Sequence, residues 1–205
     1  MLHYSTHVLL DIYPLSEEEY RNQSVRRRAS YDYLNQIVEE PYKAIEFIIN
    51  ILRIGVVGRP YKPTLLLAKE SGVLPSDVVD SLLYFRNLRN EIVHNNPKAN
   101  ESLLVYPELF KMIILGFALF EVFWAYADCR IESFRSRVNV KLERTVVVDQ
   151  SYLLKWLQIG IDRGWSDGFF DGFEESKVNA ISKLRNENDS TAFVIDIGSI
   201  HKRCA

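Results

Sequence analysis

Residues 76–95 read SDVVDSLLYFRNLRNEIVHN. Val78, Leu82, Phe85 and Ile92 recur at i, i+4, i+7 and i+14, so the spacing predicts an amphipathic helix. Asp77 and Asp80 sit in its first turns, where acids suit the positive end of the helix dipole. Asn95-Asn96-Pro97 forms a stop signal. The missing i+11 position of the seam is Arg89. At about 100° per residue, Leu82, Phe85, Ile92 and Val93 all lie within about 60° of Arg89 around the axis. A guanidinium therefore interrupts an apolar stripe. Arginine is almost never fully buried without a partner, so a carboxylate, a second subunit or a phosphate must lie against it.

Helical signals surround this segment. Ser16 and Glu19 form a capping box, so a helix starts near Glu17 and runs through an arginine-rich stretch to about Glu40. Pro41 is expected to kink or restart it. From Tyr42 to Ile54, Ile45, Ile48, Ile49 and Leu52 keep helical spacing until Gly55, Gly58 and Pro60. A shorter helix is expected from Pro63 to Glu70. Pro107 suits the first position of a long helix reaching about Arg137. His7 to Ile12 reads as a short strand.

Beyond Arg137 the pattern changes. Residues 138–148 alternate with β-branched side chains and read as a strand. Tyr152 to Gly160 reads as a helix. Asp171 and Glu174 form a second capping box before a helix to about Asn186, and Ala192 to Ile197 reads as a closing strand. The expected fold is mainly α: a four- or five-helix bundle over residues 1–137 with a small α+β appendage over 138–205.

The chain has 205 residues, 47% hydrophobic and 25% charged. It is long enough to bury a core without disulfides or metal. With 25 Lys+Arg against 27 Asp+Glu the net charge is −2, so a nucleic-acid contact requires a local basic patch. Cys129 and Cys204 make no CxxC pair and fit a reducing, cytoplasmic compartment. The N-terminus lacks a basic n-region and a long apolar h-region, so no signal peptide is expected. Met112 to Ala127 is the most apolar window. It is short for a membrane span and carries Glu121 near its middle, so a buried core helix is expected and no membrane partner. No Walker loop, GxSxG, GxGxxG or HExxH is present, and neither cofactor nor metal is expected.

Asn87, Asn90, Glu91 and His94 form the polar face beside the interrupted stripe, with Arg86 at its border. His94 lies in the last turn, where a cationic side chain is favoured. Imidazole is suited to general acid–base work near neutral pH, and a guanidinium to holding a phosphodiester. On one straight helix Arg89 and His94 are about 140° apart, so a symmetry mate or a distorted final turn would be needed to aim both at one point. The alternative is structural: Arg89 salt-bridges a buried acid such as Glu121, and His94 caps the helix.

The string Arg89-Asn90-Glu91-Ile92-Val93-His94, ending a helix of such a bundle, resembles the HEPN superfamily. Its motif is Arg, a polar residue such as Asn, three further residues and His. The lead-in from Leu82 to Asn90 and the long apolar helix that follows are also similar to HEPN proteins. The resemblance covers roughly residues 25–137. Many members are metal-independent endoribonucleases that act as homodimers, with Arg and His of both subunits lining one cleft. The resemblance implies His94 as the acid–base group, Arg89 as the phosphate-binding residue and Asn90 as the group orienting the site. It implies attack of an RNA 2′-hydroxyl on its own phosphate, leaving a 2′,3′-cyclic phosphate and a 5′-hydroxyl end. Toxins and antiviral defence effectors occur in the family, which implies an antitoxin or inhibitory protein as partner. Toxins silenced by AMPylation carry a Tyr two residues after the His, and here that position is Asn96. Other HEPN-like domains are non-catalytic and bind nucleotides or proteins.

Arg21, Arg26, Arg27 and Arg28 cluster with no acid between them. They read either as an RNA-binding strip, with Tyr31 and Tyr33 for base stacking, or as a solvated helix face. Arg130 to Arg144 holds five bases against two acids, a net of +3, and is open to the same two readings. Asp149 to Asp196 holds five bases against nine acids, a net of −4, and suits a basic partner better than RNA. Asp162, Asp167 and Asp171 do not follow the calcium-loop spacing. Phe117, Phe120, Phe123 and Trp124 read as core or dimer interface.

Overall fold

A capping box opens the helix at Glu17 of the computed structural model, which describes residues 9–10, 12–13, 15–55, 60–95, 104–135, 144–162, 181–186 and 191–204. The Ser16 side chain accepts from the Glu19 N–H at 3.2 Å, and Glu19 accepts from the Ser16 N–H at 2.8 Å, as that motif requires. Helix α1 (Glu17–Asn22) is short. Gln23 leaves helical geometry, and α2 (Ser24–Ile51) begins at once.

Helix α2 continues without interruption through Pro41, correcting the expected restart. A proline inside a helix costs about 3 kcal/mol. Around it Ile37, Val38, Ile45, Ile48 and Ile49 are buried on one side. Each such side chain contributes roughly 1.5–3 kcal/mol on burial, so packing outweighs the break. The N-terminal strand is also corrected. Leu9, Leu10 and Ile12 are helical, and the Tyr13 N–H donates to the Leu9 carbonyl at 2.9 Å. A short apolar run fits either state, and here burial of all three side chains chooses the helix.

Helices α3 (Tyr61–Glu70) and α4 (Ser76–Asn95) follow. A 3₁₀ turn with Pro107 near its start (Tyr106–Glu108) leads into α5 (Leu109–Arg135). Residues 112–119 of α5 are all buried. The helix from Tyr106 to Asp128 is long and apolar enough to cross a membrane, but 78% of its apolar window is buried inside the protein, as in a core helix.

The appendage lies on α5. Strands β1 (Thr145–Val148) and β2 (Phe193–Asp196) pair antiparallel, Val148 opposite Phe193 and Thr145 opposite Asp196. Val146, Val148, Phe193 and Ile195 point into the core, while Val147 and Val194 face outward. Helix α6 (Gln150–Asp162) lies between the strands in sequence, and α7 (Ile197–Cys204), absent from the sequence reading, packs on α5. One apolar cluster joins bundle and appendage, extending from Leu9 to Ile200. The second capping box and its helix start lie outside the described residues, as do Asp167, Asp171 and residues 138–143; residues 181–186 are helical.

Candidate functional site

Helix α4 buries Val78, Val79, Leu82, Phe85, Leu88 and Ile92, so the stripe is apolar on both sides of Arg89. Arg89 itself is half-buried. Its Nε donates to Asn35 Oδ1 of α2 at 3.1 Å, and its Nη1 to Asn90 Oδ1 at 3.3 Å. Asn35 is held in turn, donating to the Tyr31 carbonyl at 3.1 Å. Among the described residues no carboxylate lies within ion-pair distance of Arg89. The guanidinium is thus positioned by two neutral amides, and no described acid neutralises its charge.

The Arg89–Glu121 pair of the alternative, structural reading does not form. Glu121 is buried in α5 and accepts from the Tyr152 hydroxyl of α6. Burial raises its carboxyl above the usual range for Glu, while the Arg144 charge pulls it the other way.

His94 is exposed in the last turn of α4, which stays α-helical through Asn95. The final turn therefore does not swing the imidazole round toward Arg89. Within one chain the two groups remain about 140° apart on the helix. Val93 beside His94 is an exposed apolar residue, 39% accessible.

Arg86 is half-buried one turn before Arg89. Its guanidinium carbon lies 4.2 Å from the Tyr61 ring centroid, and Tyr61 stacks on Tyr42 with centroids 4.9 Å apart. Burial raises the Tyr61 hydroxyl well above the ordinary tyrosine range, against a smaller pull from Arg86. That hydroxyl keeps its proton and donates it to the Val38 carbonyl at 3.0 Å.

The arginines of α1 and α2 do not form one strip. Arg21 pairs with Glu17, and Arg28 with Asp32 at 3.2 Å. Arg26 lies near Glu19 and helps hold that carboxyl below its ordinary value, after the larger effect of the Ser16 hydrogen bonds. On an ideal helix Arg28 is about 20° from Asn35, Arg27 about 80° and Arg26 about 180°. Arg28 alone of the three shares the face that meets Arg89. Tyr31 is half-buried and Tyr33 is 2% exposed, so Tyr33 is core and not a stacking surface. Side chains of residues 129–143 lie outside the described set, which leaves Arg144 as the described member of the second basic stretch.

The aromatic run of α5 divides as well. Phe117 is buried, whereas Trp124 is 56% exposed and stacked on Phe120. Nearby, the Tyr126 hydroxyl donates to the Val73 carbonyl at 3.0 Å, just before α4 begins. His94 lies at the other end of α4, about 27 Å along the axis from Ser76. The Trp124 surface therefore does not adjoin His94. A shallow cavity of about 330 Å³ near Asp80, Tyr84, Lys111 and Phe193 is also separate, since Tyr84 and Arg89 are about 140° apart on α4. Among the described residues no cluster of three His, Cys, Asp or Glu side chains is placed to hold a metal.

Asn35, Tyr61 and Tyr42 were not singled out in the sequence. The signal was present for two of them: Arg28, Asn35 and Tyr42 recur every seven residues, a polar and aromatic row on one face of α2. Comparison of the chain with family models, with curated proteins and with solved structures finds no match.

Proposed function

We propose that the chain is a metal-independent endoribonuclease of HEPN type working as a homodimer. The observation that carries this reading is Arg89: a half-buried cation in an apolar stripe, fixed by Asn35 and Asn90 and neutralised by no described acid. An arginine kept in an apolar stripe only for the fold is commonly met by a carboxylate. One kept without it is suited to an anion arriving from outside, and the phosphodiester of RNA is the anion that the R-x4-H string suggests.

In the proposed reaction the 2′-oxygen attacks the adjacent phosphorus and the bond to the 5′-oxygen breaks. His94 takes the 2′-hydroxyl proton, and a proton returns to the departing 5′-oxygen. Arg89 stabilises the charge that builds on the phosphorane oxygens, with Asn90 fixing its orientation. Because Arg89 and His94 diverge on a regular helix, the cleft takes Arg89 from one protomer and His94 from its partner. Exposed Val93 beside His94 gives that end of α4 an apolar contact surface.

A second reading rests on the exposure of His94 at the helix end. The chain would then be a non-catalytic HEPN-like module for dimerisation, nucleotide or partner binding.

Incubating purified protein with RNA in EDTA tests the two. The ribonuclease reading expects fragments ending in 2′,3′-cyclic phosphate and 5′-hydroxyl, no cleavage of 2′-deoxy substrate, and loss of activity in His94→Ala and Arg89→Ala. RNA left equally intact by wild type and His94→Ala, with the dimer formed, supports the non-catalytic module.

A further inference from the structure

We propose that Arg86, seated on the Tyr42–Tyr61 stack, is a nucleobase-stacking position of a single-stranded RNA site whose phosphate is held by Arg89. This rests on the ribonuclease reading and adds what recognises the substrate beside the scissile group.

Three planar groups meet here. Tyr42 and Tyr61 lie nearly parallel, 13° apart, and the Arg86 guanidinium covers the Tyr61 ring. The two tyrosines are pinned at their edges. Tyr61 donates to the Val38 carbonyl, the Tyr42 and Thr64 hydroxyls meet at 3.4 Å, and Thr64 donates to the Pro60 carbonyl at 3.2 Å. Glu39 and Glu46 lie near the tyrosines, yet neither forms an ion pair with Arg86. The tyrosine pair therefore carries a planar cation, half-exposed and not paired with an acid among the described residues.

A guanidinium over an aromatic ring offers its plane as well as its charge to a ligand. Single-stranded RNA supplies the matching group, because unpaired bases stack on arginine planes. Position supports the assignment. Arg86 and Arg89 are one turn apart on α4, with Cβ atoms about 5–6 Å from each other. Their supports, Tyr42 and Asn35, lie seven residues apart on one face of α2. A base over Arg86 and its phosphate at Arg89 fit that separation.

The test uses the full-length protein carrying His94→Ala, which binds without cutting, and a single-stranded RNA containing 2-aminopurine. Binding is expected to quench the fluorescence by stacking. Arg86→Lys keeps the charge and loses the plane. It is expected to abolish quenching and weaken binding roughly 5- to 150-fold, the range for one lost base stack, with the salt dependence unchanged. Arg89→Ala is expected to lower the slope of log affinity against log salt by about 0.7, one phosphate contact on a single strand, with quenching retained at saturation. Equal affinity and quenching for Arg86→Lys would overturn the stacking role and leave the RNA site standing. No RNA binding by the His94→Ala protein would overturn both.

Discussion

Replacing Arg89 with methionine separates an arginine kept for a ligand from one kept for the fold. The side chain makes two hydrogen bonds, to Asn35 at 3.1 Å and Asn90 at 3.3 Å, both half-buried. Losing them costs about 2 kcal/mol at about 1 kcal/mol each. Methionine returns part of this. It places an unbranched apolar chain in the stripe with Phe85, Leu88 and Ile92 and removes a charge from partial burial, a gain of about 1–2 kcal/mol. Arg89→Met should therefore lie within about 1 kcal/mol of wild type. Breaking a buried ion pair would cost about 3–5 kcal/mol. At about 2–4 °C per kcal/mol for a chain of this size, the expected change in Tm is under about 4 °C. Urea and thermal unfolding followed by circular dichroism, at one protein concentration because dimerisation shifts Tm, measures it. A loss of 3 kcal/mol or more would show that Arg89 balances an acid, and the reasoning from an unneutralised cation would fail.

Two further substitutions probe the scaffold. Burial lifts the Glu121 carboxyl above its ordinary value despite Arg144, so the folded state binds that proton more tightly than the unfolded chain. Its contribution to stability is largest at low pH and is lost as pH rises from the ordinary Glu range through the raised folded value. Glu121→Gln still accepts from Tyr152 and never ionises. Its Tm should exceed wild type at pH 7, with the gap closing toward pH 4; a gap independent of pH, or a lower Tm at pH 7, contradicts the assignment. Pro41→Ala restores an N–H donor inside continuous α2, worth about 3 kcal/mol, and gives up roughly 1–2 kcal/mol of buried ring. A rise in Tm of about 2–8 °C is expected, and a fall would show that packing of the proline ring outweighs the restored N–H.

Much of the bundle was legible because local signals and burial agree. The helix over 76–95 has its acids, periodicity and stop signal in accord, and the Ser16–Glu19 box fixes the start of α1. Where burial opposed local propensity, the sequence misled. Pro41 reads as a breaker, yet isoleucines on either side hold α2 continuous. The run ending at Ile12 could have served either helix or strand. Arg89 stood out as a charge in an apolar seam, but its partner could not be read because Asn35 lies 54 residues away. The seven-residue row from Arg28 to Tyr42 puts that asparagine on one face of α2 but does not say which side chain it meets. The Glu121 partner was missed for the same reason, since Tyr152 reaches it from α6.

Subunit mixing tests the composite cleft most directly. Arg89→Ala and His94→Ala homodimers should each leave RNA uncut. Mixed dimers retain one Arg89 and one His94 on different chains, so combining the two inactive proteins should restore cleavage in EDTA. A mixture as inactive as its components, with dimer exchange demonstrated and wild type cutting under the same conditions, would contradict a site shared between protomers, and a wild type that leaves RNA whole would contradict the ribonuclease itself.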